Sequence, residues 1–290
     1  MRHIRFQGVV TDPSGGSRLP PRLVVHTVRP ALQQPAPSQG SFGREVLLRA
    51  GLDPEAYRDA PILRRTNACW RALHVRGEDD ARSALARGGD ALDRALNTML
   101  LGVSGFFRDR EVFDTLRDQI VPRLAARGEP VRVLSVGCSN GAELYSVGVL
   151  LDEAGALARS QLVGIDCRAR AIDSAIRAIY PTDVAEAVPE AWRARAFRPV
   201  AGGVQVADHL RERAAFEVRD ATAGVPAGPW HLVLCRNLII YLRAAATQHL
   251  LDAIVDRLAP GGTLVLGKAE RPAASMRLSA IGRCVYRRHD

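Results

Sequence analysis

Residues 131–146, VRVLSVGCSNGAELYS, have the pattern of a strand, a tight turn and a helix. Residues 131–136 are a short aliphatic run, which is typical of a buried strand. Gly137 and Gly141 bracket a tight turn, and residues 142–152 have the pattern of a helix. A strand, a glycine turn and a helix in this order present backbone N–H groups and a helix N-terminus to a ligand. Many α/β proteins turn tightly at such a point for packing alone, so the stretch indicates the fold more strongly than it indicates a site.

A second apolar strand is predicted over residues 162–166 and ends in Asp166. An acid at the tip of the second strand of such a unit is placed to hydrogen-bond ribose hydroxyls. The spacing of the two strands fits both nicotinamide-dependent enzymes and S-adenosylmethionine (SAM) methyltransferases. The cofactor must therefore be decided from other residues.

Length and composition indicate an ordinary globular protein. The chain has 290 residues, 47% of them hydrophobic and 24% charged, which suits one large domain and a smaller one. No apolar run approaches the roughly 20 residues that span a bilayer, and Arg2, His3 and Arg5 interrupt any signal-peptide core. We therefore expect a soluble, cytoplasmic protein without membrane insertion. Five cysteines without a C-x-x-C pair argue against a disulfide framework and a zinc site, so no metal is expected.

The formal net charge of +9 raises the question of an acidic partner. The excess is uneven, because residues 1–40 and residues 268–290 each carry a net charge of +4. Neither interleaved aromatic residues nor a helix-turn-helix signature accompanies it, so nucleic acid is not expected as a partner. A solvated, arginine-rich surface is an equally good interpretation of the charge.

The chain divides into three parts. Residues 1–40, rich in proline and glycine, are expected to be a poorly ordered tail. Residues 41–95 have the apolar spacing of amphipathic helices and are expected to form a small all-helical domain. Residues 96–290 are expected to form the α/β domain, and loose alternation over residues 197–218 predicts a small antiparallel insertion.

Two features stand out in the helical domain. The sequence Asp53-Pro54-Glu55 is typical of a helix start, with Asp as the N-cap and Pro at the first helical position. Four nearby arginines on the following helix predict a local basic face: Arg64, Arg65, Arg71 and Arg76. A solvated surface is the alternative interpretation. No catalytic constellation is found in this segment.

Two adjacent aromatics, Phe106 and Phe107, precede Arg108 and Asp109 just before a new helix. The aromatic pair is suited to plug the join between the two domains. Arg108 would then lie at the mouth of a cofactor site, where its guanidinium can hold a carboxylate bidentately.

Further polar residues follow the later strands. The strand predicted over residues 216–220 ends in Asp220, which is placed to reach an adenine amino group. A buried parallel strand beginning at Trp230 leads into Arg236 and Asn237, and Tyr241 follows. In an open α/β sheet, ligands bind beyond the carboxyl ends of the strands, so these residues are candidates for a site. A Pro-Gly-Gly break, a strand over residues 263–266 and a terminal hairpin near residue 285 are expected to complete the sheet.

Four blocks together resemble one family. They read FFRD at 106–109, SNGAELYS at 139–146, CRNLIIY at 235–241 and LAPGG at 258–262. In the same order they are similar to the FFR(D/E), (S/T)xGEE(P)YS, CRNxxIYF and LxPGG blocks of the CheR-type chemoreceptor methyltransferases. The likeness covers about residues 41–290.

The resemblance implies a Rossmann-like SAM-dependent methyltransferase sheet with an N-terminal helical domain, and with a β-subdomain insertion at 197–218. The implied activity is that of a protein-glutamate O-methyltransferase, which forms γ-carboxyl methyl esters on receptor glutamates in chemotaxis-type signalling. Its product is S-adenosylhomocysteine (SAH). The implied partner is the acidic helical cytoplasmic region of a chemoreceptor, which would face the basic helix of a monomeric enzyme.

Site residues are carried over from the resemblance position by position. Those implied to bind the cofactor are Ser104, Arg108, Gly137, Gly141, Glu143, Asp166, Asp220, Ala221, Arg236 and Asn237. Glu143 would lie near the methionyl amino group, and Tyr241 would point toward the reacting methyl group. Arg108 would pair with the methionyl carboxylate or orient the acceptor, so Arg108 and Tyr241 are the candidate catalytic residues.

Departures from the family pattern leave other functions open. Gly102 stands where the family has Asn, and Ala142 replaces the first Glu of GEE. These changes motivate a SAM- or SAH-sensing module without catalysis as one alternative. A methyltransferase acting on another carboxylic acid is a second alternative, although the extra helical domain argues against it. A nicotinamide dehydrogenase is disfavoured because the Arg236-Asn237 and Tyr241 block has no role in hydride transfer.

Overall fold

The computed structural model describes residues 41–289 except 101, 103, 274 and 275. The tail predicted at 1–40 lies outside the described residues. The α-helices are α1 (Phe42–Arg49), α2 (Asp59–Leu73), α3 (Glu78–Ala86), α4 (Ala91–Met99), α5 (Arg110–Thr115), α6 (Val121–Ala126), α7 (Ala142–Glu153), α8 (Ala169–Arg177), α9 (Thr182–Ala185), α10 (Glu190–Ala196), α11 (Asp208–Arg211) and α12 (Ala244–Arg257). The strands are β1 (Val131–Val136), β2 (Ser160–Asp166), β3 (Ile179–Tyr180), β4 (Phe197–Val200), β5 (Gly203–Val206), β6 (Ala214–Val218), β7 (Trp230–Cys235), β8 (Leu258–Leu266), β9 (Leu278–Gly282) and β10 (Val285–Arg288).

The central sheet has seven strands in the order β6-β2-β1-β7-β8-β10-β9. The strands from β6 to β8 are parallel, and β10 pairs antiparallel with both β8 and β9. The chain moves outward from β1 to β2 and β6 and then returns to β7 on the other side of β1. This reversal beside β1 is the point at which ligands bind in open α/β sheets. The predicted Rossmann-like fold, including the terminal hairpin, is confirmed.

Strand β1 lies at the centre of the core. Its apolar residues Val131, Val133, Leu134 and Val136 are fully buried, because helices and neighbouring strands cover both faces of the parallel sheet. On one face, the apolar residues of α1–α4 join those of the sheet and of α12 in a continuous buried cluster. The helical segment is therefore packed on the sheet through a shared core.

A smaller antiparallel sheet has the order β3-β5-β4 and spans residues 179–206. It differs at both ends from the excursion expected at 197–218. Strand β6 pairs in parallel with β2 in the central sheet, and the two-residue strand β3 contributes an edge. Alternation within a single strand does not reveal which sheet it joins, and two residues are too few to show a period.

Two expected absences concern only the described part of the chain. Within it, no helix has the length and apolar character needed to cross a membrane. The same residues contain no group of three or more His, Cys, Asp or Glu side chains that could hold a metal ion. All five cysteines are free, and four of them are buried.

Candidate active site

The glycine turn after β1 lies against the tip of β2. The backbone N–H groups of Gly137 and Cys138 donate to the carbonyl of Ile165 at 2.8 and 2.9 Å. Gly141 has a φ of +83°, and a Cβ atom at that position would lie 2.9 Å from the Cβ of Ala175. Glycine is therefore required there by both conformation and space. The turn delivers the chain directly into α7.

The carboxylate of Asp166 lies at the tip of β2 and is only 5% exposed. It accepts hydrogen bonds from the backbone N–H groups of Ser139 and Arg168, at 2.9 and 3.0 Å. The guanidinium of Arg168 donates two more, at 2.9 and 3.0 Å. A carboxylate offers about four lone-pair sites, so this one is fully used within the protein. A ribose hydroxyl can bind Asp166 only where the Arg168 side chain withdraws.

A cleft of about 590 Å³, part of it open to solvent, lies at this edge of the sheet. The structure brings together six of the predicted site residues on its wall: Gly137, Asp166, Asp220, Ala221, Asn237 and Tyr241. Tyr57, Arg168 and Leu238 also line it and were not predicted. The cleft thus lies where the strand-tip rule places a ligand.

The other predicted cofactor residues are not on the cleft wall. Ser104, Arg108 and Gly141 do not line it, and neither do Glu143 and Arg236. Arg108 is exposed, and its carbonyl accepts a hydrogen bond of 3.1 Å from Arg236. Direct contact of these residues with a cofactor therefore stays a prediction.

Arg236 is the centre of a buried ion-pair cluster, and its side chain is 1% exposed. It donates hydrogen bonds of 2.6 Å to Glu143 and to Asp109, and Lys268 lies 3.0 Å from Asp109. Burial raises the pKa of Asp109, but the hydrogen bond from Lys268 and the charge of Arg236 outweigh it and leave the pKa lowered. The cluster joins three sequence blocks next to the cleft.

The aromatic pair packs on the small antiparallel sheet. The ring of Phe106 makes edge-on contacts with Tyr180 at 4.9 Å and with Phe197 at 5.0 Å. Phe107 contacts Trp192, with ring centroids 5.7 Å apart. The sequence predicts that the aromatic pair fills the join between the two domains. In the structure the pair packs against the small antiparallel sheet and the neighbouring helix α10. This packing fixes the backbone that leads into Arg108.

Glu270 is a buried carboxylate that is not among the predicted site residues. It is 2% exposed and accepts backbone N–H groups from Gly267 at 2.7 Å, Asn237 at 2.9 Å and Ile240 at 3.3 Å. Burial raises the pKa of Glu270, and these hydrogen bonds act against that rise. Glu270 thereby holds the segment that carries Asn237 and Tyr241 to the cleft.

The helical segment reaches the cleft through Tyr57, which is 3% exposed. Tyr57 and Leu242 form an isolated antiparallel bridge. The N–H of Arg58 donates to the carbonyl of Tyr241 at 2.9 Å, and the N–H of Arg243 donates to that of Ala56 at 2.9 Å. A lone tyrosine within an amphipathic pattern is interpreted as a core residue, so Tyr57 was not among the predicted site residues.

The predicted basic face is only partly on one helix. Arg64 and Arg71 are exposed on α2 and Arg65 is half-buried there, whereas Arg76 lies beyond the helix end at Leu73. None of the four forms an ion pair with another described residue. Leu63 adds an exposed apolar side chain, at 55%. The helix thus presents unneutralised cations beside an apolar group, which suits an acidic protein surface.

The chain matches one protein-family model and several proteins named as chemotaxis methyltransferases. Residues 102–280 match the family model described as CheR methyltransferase, SAM binding domain. The chain is 26% identical over 232 residues to a chemotaxis protein methyltransferase of Listeria innocua serovar 6a, and the match covers 79% of this chain and 88% of that protein. It is 30% identical over 201 residues to chemotaxis protein methyltransferase 2 of Pseudomonas aeruginosa, covering 66% of this chain and 71% of that protein.

A longer relative is the "Probable biofilm formation methyltransferase WspC" of Pseudomonas aeruginosa, which is 29% identical over 235 residues. That match covers 79% of this chain but only 56% of WspC. The chain therefore spans about half the length of this relative.

Proposed function

Since this chain belongs to the CheR methyltransferase family, we propose that it methylates glutamate side chains of an acidic, helical chemoreceptor region and forms γ-carboxyl methyl esters. Family membership confirms the resemblance of the four sequence blocks and identifies SAM as the cofactor. The finer activity is supported by one observation above all. The basic helix α2 begins at Asp59, two residues after Tyr57, whose side chain lines the cleft.

The cleft residues fit SAM. The glycine turn leaves room beside β1, and acids stand at the tips of β2 and β6. SAM supplies a sulfonium-activated methyl group, whose transfer to a carboxylate oxygen forms an ester and leaves SAH. A glutamate carboxylate is already ionised at neutral pH, so no general base is required. The protein has to position the acceptor and exclude water.

Tyr241 and Arg108 are the residues we assign to that positioning. Tyr241 lies on the cleft wall, and its backbone is held by Arg58. Arg108 is exposed next to the aromatic plug, where its guanidinium can bind the acceptor carboxylate or the methionyl carboxylate. Ser104, Gly141, Glu143 and Arg236 support the site from behind the wall in this proposal.

The partner we propose is an acidic helical surface. Arg64, Arg65 and Arg71 offer positive charge along α2, which increases the rate of encounter with an acidic partner. The relatives named as chemotaxis methyltransferases favour a receptor as that partner. We also propose that the enzyme acts in the cytoplasm as a monomer, and that residues 41–95 and 96–290 are its two functional units.

One observation favours a second function, that of a SAM- or SAH-binding regulatory module. The Arg168 guanidinium donates hydrogen bonds to both oxygens of the Asp166 carboxylate. The cofactor ribose has to compete with this contact, which suits a protein that responds to cofactor concentration. Gly102 and Ala142 remove two polar groups of the family pattern. The two functions differ in whether a methyl group leaves the cofactor.

The test is transfer of a radiolabelled methyl group from SAM to fragments of acidic receptor helices, followed by mild base. Base-labile label on the fragment is expected. Replacing Arg64 and Arg71 by Glu should raise KM for the fragment and leave SAH binding unchanged. The matched control is Arg123→Glu, an exposed arginine on α6 that, like Arg64 and Arg71, forms no ion pair with another described residue. Binding of SAH without any label on the fragment would favour the regulatory module.

A further inference from the structure

Tyr57 is a buried residue whose hydroxyl has no hydrogen-bond partner among the described residues. The residue is 3% exposed and lines the cleft, and none of its interactions with described residues is a hydrogen bond from the hydroxyl. The Tyr57 oxygen does not belong to the fully enclosed polar atoms that lack a partner, so it opens onto the cleft that the residue lines. Burial raises the pKa of Tyr57, and the nearby Cys167, Asp220 and Asp166 act in the same sense. The hydroxyl therefore keeps its proton and lies near the tips of β2 and β6.

The Tyr57 backbone is fixed, so its ring is held in place before any ligand arrives. The carbonyl of Tyr57 accepts a hydrogen bond of 2.8 Å from the side chain of Arg243. The bridge to Leu242 and the bond from Arg58 to Tyr241 hold the flanking residues. A preorganised group loses little conformational entropy when it binds a ligand.

The neighbours of Tyr57 indicate which part of a ligand it meets. Asp166 and Asp220, at the tips of β2 and β6, line the same cleft, and the strand-tip rule assigns this end to the nucleoside. The lone pairs of Asp166 are already used by Ser139 and Arg168. The Tyr57 hydroxyl can both donate and accept a hydrogen bond. It has no hydrogen-bond partner among the described residues, so it is available to a ligand at this end of the cleft.

We propose that Tyr57 contacts the cofactor and that its hydroxyl forms a hydrogen bond with the adenosine part of SAM. The inference rests on SAM binding in this cleft. It implies that the helical segment completes the cofactor site, in addition to presenting a basic face. The same backbone bridge then connects the nucleoside end of the cleft with Tyr241.

A packing role is the competing explanation, because the ring also belongs to the buried cluster shared by the helical segment and the sheet. Phenylalanine would fill that role equally well. Tyr57→Phe therefore separates the two explanations, since it keeps the ring and removes only the hydroxyl. Tyr286→Phe is the matched control, because Tyr286 is also buried but lies on β10 and does not line the cleft.

The experiment is calorimetric titration of wild type and both variants with SAH and with methylthioadenosine, which lacks the amino acid part. Tyr57→Phe should weaken binding of both ligands by about five- to tenfold, the usual effect of one hydrogen bond. Its Tm should stay equal to that of wild type. Tyr286→Phe should bind both ligands as wild type does.

Three results would overturn the assignment. They are an affinity of Tyr57→Phe within about twofold of wild type, a loss shared by the Tyr286 control, or a loss seen with SAH but not with methylthioadenosine. A wild-type protein that binds neither ligand would overturn the cofactor site itself, whereas wild-type binding with an unaffected Tyr57→Phe overturns the role of Tyr57 alone.

Discussion

Arg236 at the tip of β7 donates a hydrogen bond of 2.6 Å to Glu143 in the first turn of α7, 93 residues earlier in the chain. The same guanidinium binds Asp109, which follows the aromatic plug. Three sequence blocks that resemble those of one family are thus joined by one buried cation. The blocks act as a unit because their charged residues neutralise each other beside the cleft.

Removing that cation should be costly. Arg236→Met leaves Glu143 and Asp109 with reduced compensation, so we expect the free energy of unfolding to fall by about 3–5 kcal/mol. Urea denaturation measures this. Arg283→Ala, which breaks the exposed pair with Glu111, is the control and should cost under about 1 kcal/mol. Equal losses in the two variants would contradict a structural role for the cluster.

Asp166 and Arg168 should have opposite effects on cofactor affinity. Asp166→Asn should weaken SAH binding by about 1.5–3 kcal/mol, because a charge-assisted hydrogen bond to the ribose is lost. Arg168→Met should instead tighten it, by about threefold or more, because the guanidinium no longer competes for the Asp166 carboxylate. Calorimetry decides both, and the gain from Arg168→Met should vanish in an Asp166→Asn background. A weaker-binding Arg168→Met would mean that Arg168 supports the site.

Tyr241→Phe should slow methyl transfer more than it weakens SAM binding. We expect a loss of about 10- to 100-fold in turnover, which corresponds to about 1.4–2.8 kcal/mol of barrier. Arg108→Ala should lose turnover and also some affinity. A larger effect on turnover than on Kd indicates contacts made mainly in the transition state. Single-turnover transfer beside direct SAM titration measures the two quantities, and equal losses in both would remove Tyr241 from the acceptor site.

His231 should make stability depend on pH. Its Nδ1 accepts the N–H of Arg132 at 3.0 Å, which requires a neutral ring. Burial, followed by the charges of Arg127 and Arg132, lowers the pKa of His231. As the pH falls below about 6.5, the unfolded chain takes up a proton that the folded protein does not, so the free energy of unfolding falls.

This dependence is measured by urea unfolding at about pH 7.5 and about pH 5.5. His231→Gln should show a smaller difference between the two conditions than wild type. His249→Gln, at an exposed position on α12, is the control and should behave as wild type does. An unchanged difference in His231→Gln would show that another group carries the pH dependence.

The fold was predictable because its signals are local. The aliphatic run of β1 indicates a strand that is buried on both faces. The glycines at 137 and 141 indicate a tight turn with positive φ. Both signals lie in neighbouring residues of the chain. In the structure, Asp166, Asp220, Asn237 and Tyr241 line one cleft at the tips of the strands. The boundaries of the small sheet were less predictable, since β6 and β4 look alike as isolated strands.

The remaining site residues depend on tertiary contacts that no local pattern contains. Tyr57 reaches the cleft only because the loop before α2 bridges to Leu242. Arg236 follows a strand tip, where a cofactor contact is expected. In the structure its side chain is buried and pairs with Asp109 and Glu143, which are distant in sequence. Arg168 could not be distinguished by sequence from a solvated arginine in an arginine-rich chain.

The proposed activity is the transfer of methyl groups from SAM to glutamate side chains. Its most direct test is mass spectrometry of an acidic helical receptor fragment after incubation with SAM and the protein. We predict that the fragment gains the mass of one or more methyl groups located on glutamates, that mild base removes them, and that Tyr241→Phe slows their appearance. A protein that binds SAH in calorimetry while no fragment gains mass would contradict the claim.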